Sequence, residues 1–131
     1  MSEPITGTEG LEWRLRICRP AFQDFQHLLP RYSVRSELNR QLHKLRWWDP
    51  DQLVVIDLPW QRLQPTGLVE LFAQLDDGVV DTVRVLFFEY SPNPQVPTLW
   101  ILGAMRADET LGSLQHTIYS GRSTIIRARA D

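Results

Sequence analysis

Gly67-Leu68-Val69-Glu70-Leu71-Phe72, Val83-Arg84-Val85-Leu86-Phe87-Phe88 and Leu99-Trp100-Ile101-Leu102-Gly103-Ala104-Met105-Arg106 are three short apolar runs in close succession. The segments between them, Gln74-Leu75-Asp76-Asp77-Gly78 and Tyr90-Ser91-Pro92-Asn93-Pro94, carry turn chemistry: Asp and Asn fold back on their own backbone, Gly tolerates left-handed φ, and Pro presets its own φ. Strand-length apolar runs separated by such turns predict a three-stranded antiparallel meander. Arg84 sits inside the second run and Arg106 closes the third, on a mostly acidic segment. Isolated arginines on a small sheet suggest a site as well as a core; the other reading of Arg84 is an outward residue on the solvent face or a partner for Glu70 across the ladder.

Upstream, Leu11, Trp13, Leu15 and Ile17 alternate with Glu12, Arg14 and Arg16, the period-2 pattern of a half-buried strand. Pro20 suits the first turn of a helix, and Phe22, Phe25, Leu28 and Leu29 follow at helical spacing as far as Pro30. A second helix is predicted from Tyr32 or Ser33 to Arg46, with Ser33 as its N-cap and Val34, Leu38, Leu42 and Leu45 as its apolar stripe. That stripe leaves Arg35, Arg40, His43, Lys44 and Arg46 outside it. Residues 51–58 read as a short extended segment, an edge strand, before Pro59.

Downstream, Asp108 is the natural N-cap for a helix carrying Leu111, Leu114 and Ile118 on one face. Two continuations stay open. Gly121 ends the helix and Ser123–Arg127 forms a terminal strand, or the helix runs on, since Ile125 falls seven residues after Ile118. The fold class expected is α+β: an N-terminal strand, a two-helix hairpin, a three- to four-stranded antiparallel sheet and a C-terminal helix. Residues 1–10 read as a flexible tail and 11–131 as a single domain.

Composition supports that reading. With 43% apolar and 23% charged residues over 131 positions, the chain has globular rather than disordered composition and room for one core. The polar, acidic start lacks the basic and apolar regions of a secretory signal, and no apolar run has the length of a membrane span, so a cytoplasmic location is expected. Cys18 has no second cysteine to pair with and ends an apolar-alternating run, which predicts a buried structural thiol. His27 and His43 do not fall in a ligand pattern, so neither metal nor cofactor is expected.

Net charge is −2, unevenly placed. Arg31, Arg35, Arg40, Lys44 and Arg46 face one acid, Glu37, within residues 31–46, whereas residues 47–109 hold ten acids against Arg62, Arg84 and Arg106. Residues 110–131 return to positive with Arg122, Arg127 and Arg129 against Asp131. Such asymmetry is compatible with an anionic polymer bound through one face, Arg35, Arg40, Lys44, Arg46 and Arg122 being the candidates. Trp47 and Trp48, beside the basic helix end, either stack bases or close the core where helix meets sheet.

The order strand, two helices, meander, helix resembles the RelE/ParE/HigB superfamily of bacterial toxins over residues 11–122. Gly67-Leu68-Val69-Glu70-Leu71 is similar to that family's Gly-Leu-x-Glu-Leu-Arg strand, and Val83-Arg84-Val85-Leu86-Phe87-Phe88 to its Tyr-Arg-Ile-Leu-Tyr-Phe strand. Trp100–Arg106 is similar to its Val-Leu-Leu-His-Gly-Phe-x-Lys strand. The resemblance implies a toxin of a toxin–antitoxin pair, neutralised by a cognate antitoxin protein. Many such toxins cleave mRNA on the ribosome without a metal; ParE-like members inhibit gyrase without cleaving RNA.

For an endoribonuclease the chemistry requires removal of a 2′-hydroxyl proton, stabilisation of a dianionic phosphorane and protonation of the leaving oxygen. By match to the family, Arg84 and Arg106 bind and stabilise the phosphate, His116 or Tyr119 handles protons and Arg122 supports them. Phe72 stands where the family strand has arginine, Gly103-Ala104-Met105 replaces its His-Gly-Phe, and the pI is about 5.9. These departures favour a second expectation, a non-catalytic binding module on the same scaffold: a gyrase-type inhibitor or an interaction protein of a mobile element.

Overall fold

The three apolar runs pair as an antiparallel meander: β3 (Val69–Gln74), β4 (Thr82–Glu89) and β5 (Thr98–Arg106) lie side by side, with Phe72 opposite Arg84 and Arg84 opposite Met105. Around them stand β1 (Arg14–Ile17), α1 (Arg19–Leu28), α2 (Tyr32–Leu42) followed by a 3₁₀ turn (His43–Trp47), β2 (Trp60–Arg62) and α3 (Ser113–Ala130). The structure is a computed structural model that describes residues 12–51, 58–63, 67–75, 82–106 and 112–130. The expected tail at 1–10, most of the extended segment at 51–58 and the Asp108 cap lie outside the described residues.

The sheet corrects the expectation of three or four antiparallel strands. It has five strands in the order β1-β5-β4-β3-β2 and is mixed, because β1 runs parallel to β5 with Leu15 opposite Leu99. Apolar alternation specifies which side chains turn inward but not strand direction. Direction follows from the backbone pairing, in which the Arg14 N–H donates to Pro97 O (2.7 Å) and the Cys18 N–H to Ile101 O (3.2 Å). The opposite edge strand falls at Trp60–Arg62, after Pro59, and turns back to β3 through Gly67, whose φ of +77° suits glycine alone.

Each face of the sheet has its own core. On the first, Val69, Leu71, Val83, Val85 and Phe87 meet α1, through Ala21 and Phe25, and the stripe Val34, Leu38, Leu42 and Leu45, all buried. Burial of each large aliphatic side chain there contributes roughly 1.5–3 kcal/mol. On the second, Leu86, Phe88, Leu102 and Met105 receive Tyr119 and Ile126 from α3. Trp48 sits deep in the first core, with Trp13, Trp60 and Phe87 at ring-centroid distances of 5.7, 5.3 and 5.2 Å. The Trp13 indole N–H donates to Trp48 O at 2.5 Å.

Helix boundaries follow local chemistry. α1 carries Pro20 in its first turn and stops before Pro30, which disfavours helical backbone at Leu29. The expected Ser33 cap is corrected: Arg31 occupies the N-cap position of α2 with no side-chain cap, its carbonyl accepting from the Val34 and Arg35 N–H groups. The helix ends at Leu42 rather than Arg46 because the chain tightens into the 3₁₀ turn. Of the two continuations after Gly121, the helical one is adopted. Tyr119, Ser123 and Ile126 are all buried at spacings of four and three, and the Ser123 and Thr124 hydroxyls donate to Ser120 O. No helix among the described residues is long and apolar enough to cross a membrane.

Candidate nucleic-acid interface

Because side chains alternate along a strand, Arg14 and Arg16 both point to the α3 side of the sheet, while Trp13 and Leu15 enter the first core. On α3, Arg122, Ile126 and Arg129 recur at helical spacing. The strand and the helix meet across a groove of about 1040 Å³, floored by Cys18 and Trp100 and closed at one end by the proline loop through Pro92, Asn93 and Val96. Arg19, Pro20 and Gln23 of α1 line its other wall. Five arginines face it, Arg14, Arg16, Arg19, Arg122 and Arg129, and its described lining contains no carboxylate. That is a strongly positive cleft in a chain whose net charge is negative.

The floor is apolar and aromatic. The Arg16 guanidinium lies over the Trp100 ring (5.2 Å to the centroid), and the Trp100 indole N–H donates to Tyr90 O at 3.2 Å. Burial pushes the Cys18 thiol above its usual range, against the smaller opposing effects of the Ala21 backbone and Arg122, so it stays protonated at neutral pH. Its Sγ lies 3.6 Å from Leu102 O, a weak hydrogen-bond donor in a packed wall. This fits the structural thiol expected, with half rather than full burial.

One wall of the groove is built by an edge device. β1 covers β5 from Thr98 to Ile101; beyond that the chain turns into α1, and among the described residues no strand pairs with the Leu102–Arg106 edge on that side. The Asp24 carboxylate accepts from the Ala104 N–H (3.4 Å), and the Arg122 guanidinium donates to Leu102 O (2.8 Å) and to Asp24 (2.7 Å). The ion pair thus stands in for the missing strand. The register shifts here as well, Leu86 facing Gly103 and Phe87 facing Ile101, so Leu102 is the extra residue of a bulge.

Gly103 makes this convergence possible. A Cβ at that position would fall 2.7 Å from Arg122 Nη1 and 2.8 Å from Asp24 Oδ2, and closer still to the Tyr119 ring. Gly103→Ala is expected to lower stability by about 1–3 kcal/mol, because a buried ring and a tied ion pair must yield. Gly121→Ala, inside α3 with nothing within 4 Å of its Cβ, is expected to raise stability by about 0.5–1 kcal/mol. Urea midpoints of the two variants check the pair, and a shift of the same sign in both would contradict it.

The residues expected from sequence to form a site are distributed differently. Arg84 projects from β4 on the second face, where its Nε donates to Glu70 Oε2 at 2.7 Å and its Nη2 pairs with the same carboxylate. Glu70 is fully buried, with Gln61 donating to its other oxygen at 2.8 Å. Arg106 closes β5 exposed, opposite Val83. His116 is half-buried on α3, its Nδ1 without a hydrogen-bond partner among the described residues. Tyr119 is buried beneath the Arg122 guanidinium, 5.2 Å from the ring centroid. Of the five candidates, Tyr119 and Arg122 are in contact.

The basic helix is engaged locally. Arg35 donates to Leu29 O and Pro30 O (2.8 and 2.9 Å), capping the end of α1. Arg40 pairs with Glu37 on the exposed surface and holds that carboxyl down at about 2. Arg46 pairs with Glu12 and lies over Trp47, and Lys44 sits half-buried in the 3₁₀ turn. Arg14, Arg16 and Arg19 were not singled out from sequence. Their signal is the i, i+2 arginine pair on one strand face, followed at once by a third arginine opening the helix.

Among the described residues, no group of three His, Cys, Asp or Glu side chains is placed to hold a metal. The chain matches no family model, no curated protein and no solved structure. Its functional reading therefore rests on its own residues. Guanidinium groups bind phosphate as planar, permanently charged donors, and five of them around an aromatic floor suit a strand that carries several phosphates.

Proposed function

We propose that this protein is an RNA-binding, toxin-type protein that contacts a single strand through the arginine groove between β1 and α3. One observation carries the reading: five arginines, of which Arg122 alone is paired with a carboxylate among the described residues, line a cleft of about 1040 Å³ in a chain of net charge −2. Arg14, Arg19 and Arg129 are exposed and enter no ion pair among the described residues, so binding phosphate costs them no internal partner. The cellular role proposed is that of the toxin in a toxin–antitoxin pair, held in check by a protein antitoxin.

The test is fluorescence anisotropy with a labelled single-stranded RNA 12-mer across a salt series. Phosphate contacts from the four groove arginines other than Arg122, at ~0.7 each, give a slope of log K against log salt of up to about −2.8. Arg14→Glu with Arg129→Glu, two exposed groove positions outside the ion pair, is expected to weaken binding at least tenfold and flatten that slope by at least ~1.4. Binding that is indifferent to salt and to both substitutions would sink the groove reading.

A second reading, metal-independent endoribonuclease, is favoured by the contact between Tyr119 and the groove residue Arg122. Its phosphate would be held by Arg16 and Arg19 of the groove rather than by Arg84 or Arg122, whose guanidinium groups are committed to carboxylates. The same labelled RNA separates the two: binding without new ends supports the binder, whereas cleavage abolished by Tyr119→Phe supports the nuclease.

A further inference from the structure

Next to the arginine groove, on the far side of the Asp24–Arg122 pair, lies a second pocket of about 540 Å³ between α1 and α3. Gln23 lines both, and Arg122 of the groove touches Asp24 of the pocket at 2.7 Å, so the two are contiguous. The pocket combines a polar wall (Gln23, Asp24, His27 and Gln115) with an apolar one that includes Met105 and the buried Tyr119. The side chains of Gln23, His27 and Gln115 make no hydrogen bond or ion pair among the described residues. Asp24 spends Oδ2 on Arg122 and Ala104, and Oδ1 makes no hydrogen bond among the described residues.

We infer that this pocket is a base-reading subsite: it takes one nucleobase of the strand whose phosphates lie in the groove, and guanine is the base it suits. The inference rests on the groove reading, because a base pocket without a phosphate track has little to hold. A nucleotide spans a charged phosphate and a flat, edge-polar base, which is the order of chemistry met on crossing from the groove to the pocket. Small-molecule sites are of this kind, mostly apolar with a few convergent polar groups. The identity of the base follows from the carboxylate. Asp24 can only accept, and guanine alone among the four bases offers two adjacent N–H donors, N1–H and N2–H, that can converge on the one open oxygen, Oδ1. The glutamine amides, which both donate and accept, complement the remaining guanine edge atoms. Asp24 is itself held in place by Arg122 and the Ala104 N–H, so the reading group is fixed before the ligand arrives.

The experiment compares uridine-rich RNA 12-mers carrying a single central G, A, C or U, by anisotropy at fixed salt and then across a salt series. The G oligomer is expected to bind about tenfold more tightly than the other three, the size of one good base contact. Asp24→Asn is expected to abolish that preference, and Gln115→Ala, at a side chain of the pocket that does not line the groove, to weaken it with the salt slope unchanged. Salt-dependent binding with equal affinity for all four oligomers would overturn the subsite and leave the groove standing. So would a preference for G that survives both substitutions, or a preference for another base. Absence of salt-dependent binding altogether would remove the groove reading, and the subsite with it.

Discussion

Arg84→Ala is expected to lower the stability of the folded protein by about 3–5 kcal/mol, with a fall in melting midpoint on the order of 10 °C. The reason is Glu70. Its side chain is fully buried and its charge is balanced by the Arg84 guanidinium, itself only 12% exposed. Removing the arginine leaves a buried carboxylate with a single neutral donor, Gln61. Replacing both members, Glu70→Leu with Arg84→Leu, is expected to recover most of the loss, since apolar groups of similar volume need no counter-charge. Denaturant midpoints of the single and double variants test this. Equal midpoints for Arg84→Ala and the parent, or a double variant no better than the single one, would show that the pair does not hold the sheet. A loss of biological activity in Arg84→Ala thus needs to be read beside its stability: a guanidinium in this setting can be indispensable to activity without touching a ligand.

The second large effect separates two adjacent tryptophans. Trp48→Ala is expected to cost about 3–5 kcal/mol, because it empties the centre of a ring cluster with Trp13, Trp60 and Phe87 and removes side-chain packing over a buried sheet. Trp47→Ala, at a position 46% exposed, is expected to stay within about 1 kcal/mol of the parent. Near-ultraviolet circular dichroism gives a second readout, since rigid, asymmetric packing of indoles produces that signal and an exposed ring adds little. A comparable loss in both variants would refute the assignment. Of the two roles open for these residues in the sequence, closing the core belongs to Trp48. Stacking bases finds no support at Trp47, which lies beneath Arg46 and does not line the arginine groove.

Much of this architecture is written in local spacing. The meander follows from three apolar runs and two turn segments, α1 from Pro20 and Pro30 at its ends, and the buried face of α2 from Val34, Leu38, Leu42 and Leu45. These are periodicities of 2.0 and 3.6, and a chain that must bury apolar side chains expresses them wherever it folds. The candidate site was less legible. The density of basic residues pointed to α2, yet Arg35, Arg40 and Arg46 there are engaged by a helix end, Glu37 and Glu12. Charge along the sequence does not say which cations already have partners. Glu70 of β3 and Arg84 of β4 belong to different strands, and the register that sets Leu86 beside Glu70 and Phe72 beside Arg84 brings their side chains within reach.

The sequence by itself determined the order of elements and which face of each is apolar, because both depend on neighbours a few residues away. Three things were decided by tertiary structure alone. β1 chose the edge of β5 and ran parallel to it; α3 continued through Gly121 because the second face of the sheet could bury Tyr119, Ser123 and Ile126. Arg14, Arg16 and Arg19 came to share a groove with Arg122 and Arg129, from the opposite end of the chain. Each is a pairing between segments distant in the chain, selected by which strand edge was open and which apolar face was uncovered. Such a selection is a property of the assembled surfaces, and no local period encodes it.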